Sequence, residues 1–306
     1  MFEQLKSGEA QFETNRNAGF TTVLTVSRDG VFNGQSAVIN LAGDSVSEMI
    51  VRAPFAEHIT LTTLRGGTYP TSLMGTFSAL RQMLLDAQRF QEIKKIYEKN
   101  PRGLKRPEAD LSLEALVPVL NREMPIVFNA NSEIEIIRVL DLAREFNLRA
   151  IVAGGQEAWK VANELKQNNI SVIYTNIYNL PVRDDDPYDY LFETPTKLQK
   201  AGVKFCIATG DQGAEVRDLP YHAGLAGAYG LPKDEALKAV TLYPAQILGI
   251  ADRLGSIETG KIANIVVADG DILEPRTNIK HLFINGRMIP LTSRHTNLFE
   301  QFRDRK

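Results

Sequence analysis

The side chains best suited to chemistry in this sequence are few and scattered. Asn129 and Asn131 close the apolar run of "IVFNANSEIE" just ahead of a helix start. There Ser132 stands as N-cap with Glu135 three residues on, the spacing of a capping box. In strand-then-helix units, groups at the carboxyl end of the strand face the site. The two amides are therefore candidates to line a ligand cavity, and the competing reading is that they cap strand-end backbone. Gly154 and Gly155, in "IVAGGQEAW", precede another helix. Free amides there could hold an anion, and a tight strand-to-helix turn accounts for the same pair. Asp211, in "ATGD", reads either as a general base that orients a water or as a carboxylate bonded to nearby backbone amides.

Other candidates carry less. His58, His222, His281 and His295 are isolated in the sequence, and His222 lies on a helical stretch of small and apolar residues where a packing role fits best. Asp184-Asp185-Asp186 sits in a proline-flanked loop and reads as a solvated acidic turn rather than a cation site. Trp159 belongs between a helix and the strands beneath it. Cys206 is the single cysteine, so no intramolecular disulfide and no Cys-based zinc site can form. Its setting, "KFCIAT", is that of a buried structural thiol.

Such groups need elements to position them, and the chain alternates short apolar runs with amphipathic helical patterns. "TTVLTV" reads as a buried strand, with 37–41 and 48–53 as weaker strand candidates. A long helix is expected from about 71 to 99, where Leu73, Phe77, Leu80, Leu84 and Ala87 recur at three- and four-residue steps. "NPRGLKRPEAD" then breaks it, and a helix over 112–121 follows. Strands at 125–130, 149–154, 171–175 and 204–209 each lead into a helix, near 132–146, 156–167, 194–200 and 216–228. This alternation implies parallel strands with crossover helices. About 230 residues of it fit a (β/α)8 barrel, with a doubly wound sheet as the alternative. After Pro244 short β stretches punctuated by glycine follow, and Asn285-Gly286 signals a type I′ hairpin.

At 306 residues, with 43% hydrophobic and 24% charged side chains, the chain is long enough for a large core or two unequal domains. Thirty-five basic against 37 acidic residues leave a net charge of -2, which gives no support to nucleic-acid or polyanion binding. No apolar run is long enough to span a membrane. The start, "MFEQLKSGEAQFE", lacks a signal-peptide pattern, and compartment is left open.

Residues 240–289, "VTLYPAQILGIADRLGSIETGKIANIVVADGDILEPRTNIKHLFINGRMI", resemble the closing segment of amidohydrolases of the imidazolonepropionase-like branch. "NRNAGFTTVLT" resembles the helix-to-second-strand passage of that family, and "TGDQGAEVRDLPYHAGLAGAYGL" its eighth-strand passage. Asn264 stands where an aspartate is usual. The resemblance implies a (β/α)8 TIM-barrel-like, metal-dependent hydrolase fold over residues 1–250, a β-sandwich portion over 251–291 and a charged tail over 292–306. It further implies hydrolysis of C–N bonds on a one- or two-metal centre. The ligands there are a His-x-His pair on strand 1, histidines on strands 5 and 6 and an aspartate on strand 8, with a carboxylated lysine or glutamate often bridging from strand 4. Carried over residue by residue, Asp211 matches the strand 8 aspartate, Asn129 takes the strand 5 histidine position and Gly154 the strand 6 position. The His-x-His pair is not in the chain, which is expected to begin at the helix after strand 1.

The expectation is thus a non-catalytic amidohydrolase-like module of a larger hydrolase. The alternatives are an active enzyme whose remaining ligands come from a missing N-terminal segment, and a small-molecule-binding barrel. Asp211 is the one catalytic candidate. Asn129, Asn131, Gly154 and Gly155 line the expected cavity, and no metal site is assigned. No cofactor is expected, with zinc or another divalent metal entering only if ligands come from elsewhere. Expected partners are another part of a longer polypeptide or a second copy, and a possible small molecule, without nucleic acid or membrane. A missing first strand would expose backbone and apolar surface, so self-association, or filling by a local segment rather than by the tail, is expected.

Overall fold

Ile126-Val127-Phe128 is buried on both faces, as the core of a parallel sheet requires, and the helix after it starts as its residues dictate. In this computed structural model, which describes residues 10–27, 30–64, 68–175, 177–181, 183–210 and 215–303, Ser132 caps that helix, and the reciprocal bonds with Glu135 are both formed. Along the chain the elements are α1 (Ala10–Asn17), β1 (Thr22–Thr25), β2 (Phe32–Gln35), β3 (Ala37–Asn40), α2 (Val46–Met49), β4 (Ile50–Arg52), β5 (Glu57–Thr60), α3 (Leu73–Lys99) and α4 (Leu111–Leu120). The strand–helix units follow: β6 (Ile126–Ala130), α5 (Glu133–Glu145), β7 (Ala150–Gly154), α6 (Ala162–Gln167), β8 (Ser171–Tyr174), α7 (Tyr190–Ala201), β9 (Phe205–Ile207) and α8 (Leu219–Ala228). Then come α9 (Lys233–Val240), α10 (Leu242–Ile247), β10 (Ile265–Ala268), β11 (Ile279–Ile284), β12 (Arg287–Ile289) and α11 (Arg294–Phe302).

Strands β5 to β9 lie side by side in chain order, all parallel, and β2 joins the far edge of β5 antiparallel. The fold is α/β with a parallel sheet. Among the described residues the pairing runs from β2 to β9 and does not close into eight strands. Thr22–Thr25, expected as the second barrel strand, pairs antiparallel with β3 in a separate sheet, β1-β3-β4. The cause is local. Only Ser36 separates β2 from β3, and its amide and carbonyl bond to Ala56 and Phe55, so the chain passes from one sheet to the other there. Strands β2 and β5 lack a long apolar run and were not legible in the sequence.

One face of the parallel sheet packs on the helices through Ile126, Phe128, Val152, Val172 and Tyr174 against α5 residues such as Ile136, Val139 and Leu140. The other face, with Val127 and Ile151, packs on Ala245, Ile250 and Leu254 from α10 and the turn beyond it. Arg253 donates to the Val51 carbonyl at 3.0 Å and Arg52 to the Leu248 carbonyl at 2.9 Å, so this segment is tied to β4 on both sides. The carboxy-terminal helix α11 contributes no buried residue. Among the described residues that inner face is covered by residues 245–254 together with Val38, Val51 and Phe55.

Sheet β10-β11-β12 closes on the amino-terminal part of the chain: Leu282 and Ile284 share a core with Leu41, Phe12, Phe20 and Val23. Asn285 and Gly286 both take positive φ, 53° and 74°, as the type I′ hairpin requires. Asn264, the departure from aspartate, donates to Thr22 Oγ1 at 2.9 Å and Asn40 Oδ1 at 2.8 Å, and accepts from the Asn285 amide at 2.9 Å. An aspartate has no hydrogen to donate in the first two bonds. No helix among the described residues is long and apolar enough to cross a membrane.

Candidate functional site

Period-two alternation carries Thr60, Asn129, Ala153, Ile173 and Cys206 across the sheet at one level, each opposite the next in the strand register. These positions lie near the carboxyl ends of the parallel strands, and Asn129 is exposed there. Thr60 Oγ1 donates to Asn33 Oδ1 at 2.7 Å, so a strand the sequence did not reveal brings a third amide to this end. One level lower, His58 stands opposite Val127. Its Nε2 bonds Ser36 Oγ at 2.8 Å, and burial pushes its pKa down to about 4.

Beyond β7, Gly154 and Gly155 take φ of +95° and +71°, which is the tight-turn reading of the pair. The Gly155 amide bonds the Ala130 carbonyl at 2.8 Å. A Cβ at Gly154 would overlap Asn131 Oδ1 and fall within 3.0 Å of the Ala130 carbonyl. Asn131 therefore occupies the room a side chain at 154 needs. Its amide N donates to Glu135, while its Oδ1 is buried without a hydrogen-bond partner among the described residues.

Glu157 was not singled out from sequence, yet it is 1% exposed. It accepts from the Glu133 amide at 2.7 Å and from Lys160 Nζ at 2.6 Å. Burial opposes its ionisation, but the bonds from Lys160 and the Glu133 amide, with the charges of Lys160 and Arg183, hold it below the usual carboxylate range. Glu157 anchors the start of α5 to the β7 turn and is not free for chemistry. The Gly-x-Glu-Ala pattern was its only signal in the sequence.

His222 on α8 is buried and packs edge-on against Tyr178, ring centres 4.4 Å apart. Burial lowers its pKa to about 4, against opposing effects of the Asp218 charge and the Ala208 backbone. Neither ring nitrogen has a hydrogen-bond partner among the described residues, the Ala208 backbone lying outside hydrogen-bond geometry. Cys206 is buried, its thiol pushed up to about 12, consistent with a structural role. Trp159 packs near Tyr190 and under Lys197. Asp211 lies outside the described residues.

Comparison with known proteins gives this architecture its place. The model of the Amidohydrolase family matches residues 193–289. An amidohydrolase from Thermotoga maritima MSB8 has a crystal structure that superposes with a TM-score of 0.85 at 25% identity, over 94% of this chain and 76% of that one. The chain resembles the amidohydrolase superfamily, in fold along most of its length and in sequence over residues 193–289. Within that superfamily it is 42% identical over 57 residues to an N-acetylglucosamine-6-phosphate deacetylase of Haemophilus influenzae. It is 50% identical over 38 residues to an imidazolonepropionase of Erwinia tasmaniensis. These matches span 14% and 9% of the lengths of the two relatives.

The donor set can be tested against the metal centre that the resemblance implies. Among the described residues no group of three His, Cys, Asp or Glu side chains converges. Asn129 offers an amide oxygen where an imidazole is expected, a poor zinc donor. Position 154 has no side chain and no room for one. A catalytic zinc takes about three protein ligands, and the described residues do not supply them. What they do offer at this end is neutral: the exposed Asn129 amide, with Thr60 hydrogen-bonded to Asn33 beside it.

Proposed function

We propose that this chain is a non-catalytic amidohydrolase-like module, part of or partner to a larger hydrolase, whose carboxyl-end site has exchanged metal ligands for neutral polar groups. The packing of Asn131 Oδ1 against Gly154 carries this reading, because it closes the strand 6 ligand position by side-chain overlap and by backbone conformation together. The exposed Asn129 supports it at the strand 5 position. Such a surface suits an uncharged polar ligand, hydrogen-bonded by the exposed Asn129. A second copy of the chain is the partner we propose in isolation, through β2 and β9, the outer strands of the six-stranded sheet among the described residues.

The second reading is an active enzyme completed by ligands from a preceding segment, which the strand 8 match of Asp211 favours. Hydrolysis of a panel of cyclic amides and N-acyl compounds, with and without added zinc or manganese, separates the two. The proposal expects no metal-dependent turnover by this chain. Turnover that rises with metal and is lost on Asp211→Ala would support the second reading.

A further inference from the structure

At the opposite end of the sheet, below the amino-terminal ends of β6 to β9, the structure holds a cavity of about 770 Å³. That is within the range of about 300–1,000 Å³ that accommodates small molecules. Its floor is apolar, with Ile151 and Ile247, and its rim carries Arg122, Arg149 and Lys204. The strand register places Arg149 and Lys204 at this end of the sheet. Ser171 stands opposite Ile151 on β7. The Val172 amide bonds the Lys204 carbonyl at 2.9 Å and the Ile126 amide bonds the Arg149 carbonyl at 3.0 Å. Arg149 and Lys204 are thus rooted in sheet backbone at the entrances of β7 and β9.

The charge of this rim is not balanced. Arg122 donates to the Asn147 carbonyl and to Asn147 Oδ1, at 2.8 and 2.6 Å, and Arg149 to the Arg122 carbonyl at 3.2 Å. Among the described residues none of the three cations has a carboxylate within ion-pair distance, although ion pairs are frequent elsewhere on the chain. Among the described residues of the rim, the carboxylate Glu235 is already met by Lys238 at 2.9 Å and by the Tyr243 hydroxyl. The near-neutral total of the chain hides this local excess.

We propose that this cavity binds a small, multiply charged oxyanion, a phosphate ester or a dicarboxylate, through Arg122, Arg149 and Lys204. The chemistry shared by both sources is a pair of anionic oxygens, to which guanidinium groups donate two parallel bonds. The site is independent of the carboxyl-end site and of the proposed function, because it shares no residue with either.

Isothermal titration calorimetry of the full chain with inorganic pyrophosphate, and separately with succinate, at constant ionic strength tests it. Saturable binding of at least one probe is expected, weakened about tenfold or more by Arg149→Gln and by Lys204→Gln. Lys95→Gln, on the remote helix α3, should leave it unchanged. Binding of pyrophosphate alone identifies the phosphate class, and binding of succinate alone the dicarboxylate class. Thermal unfolding of each variant confirms that it is folded, which exposed cations make a mild requirement. No saturable heat with either probe, or equal affinity in Arg149→Gln and Lys95→Gln, would overturn the proposal.

Discussion

Asn131 and Gly154 share one volume: the Asn131 Oδ1 fills the space into which a side chain at position 154 would project, and the φ of +95° at Gly154 turns that space toward it. The two residues come from neighbouring strand ends, and Asn131 leaves no room for a side chain at 154.

This relationship predicts that Gly154→Ala costs about 1–3 kcal/mol, since an L-residue there meets both the strained backbone and the Ala130 carbonyl. Gly154→His should cost no less, even combined with Asn131→Gly, because removing the amide leaves the φ and the carbonyl in place. Urea unfolding measures it, and a histidine at 154 tolerated within a few tenths of a kcal/mol would contradict the geometry.

Asn264 joins β10 to the amino-terminal sheet through two donated bonds and one accepted bond. Asn264→Asp is predicted to cost about 1–3 kcal/mol by removing both donors and setting a charge against Asn40 Oδ1. Thermal unfolding checks this, and a variant as stable as the wild type would refute the role.

Neighbouring residues Glu57 and His58 give opposite pH dependence. Burial lowers His58 from its ordinary 6.5 to about 4. The unfolded chain therefore takes up a proton that the folded chain refuses, and His58's contribution to stability is full above pH 6.5 and lost as pH falls toward 4. Burial raises Glu57 from 4.5 to about 7, with the Gly34 amide opposing. The folded chain keeps a proton that the unfolded chain releases, so that contribution is present below pH 4.5 and lost as pH rises through 7. His58→Gln should flatten the acid limb of Tm against pH, and Glu57→Gln the limb between 4.5 and 7. Parallel curves for wild type and both variants would show that neither group is coupled to folding.

Leu254, buried against the inner face of the sheet, should cost about 2–5 kcal/mol on truncation to alanine. Because residues 245–254 shield that face, Leu254→Ala should also increase self-association in sedimentation velocity. A variant of wild-type stability would show that this segment does not hold the inner face.

Much of this was legible in the sequence where the physics is local. The capping box at Ser132 and Glu135, the long helix α3, four of the parallel strands and the Asn285-Gly286 hairpin all follow from spacing along a few residues. Strands β2 and β5 were not legible, because neither has an apolar run. His58 and Thr60 were missed with them. The antiparallel pairing of β1 with β3 depends on the passage at Ser36, a contact with Phe55 and Ala56 that no periodicity encodes. At the site, the positive φ of Gly154 and Gly155 fits the turn that the glycine pair signals, while the overlap of position 154 with Asn131 depends on two adjacent strands.

The central claim is that this chain does not assemble a metal centre, and zinc stoichiometry tests it most directly. After incubation with excess zinc and exhaustive dialysis, mass-spectrometric metal analysis should find far less than one equivalent bound per chain. About one equivalent, retained by the wild type and lost on Asp211→Ala, would contradict the account and restore the carboxyl end of the sheet as a metal site.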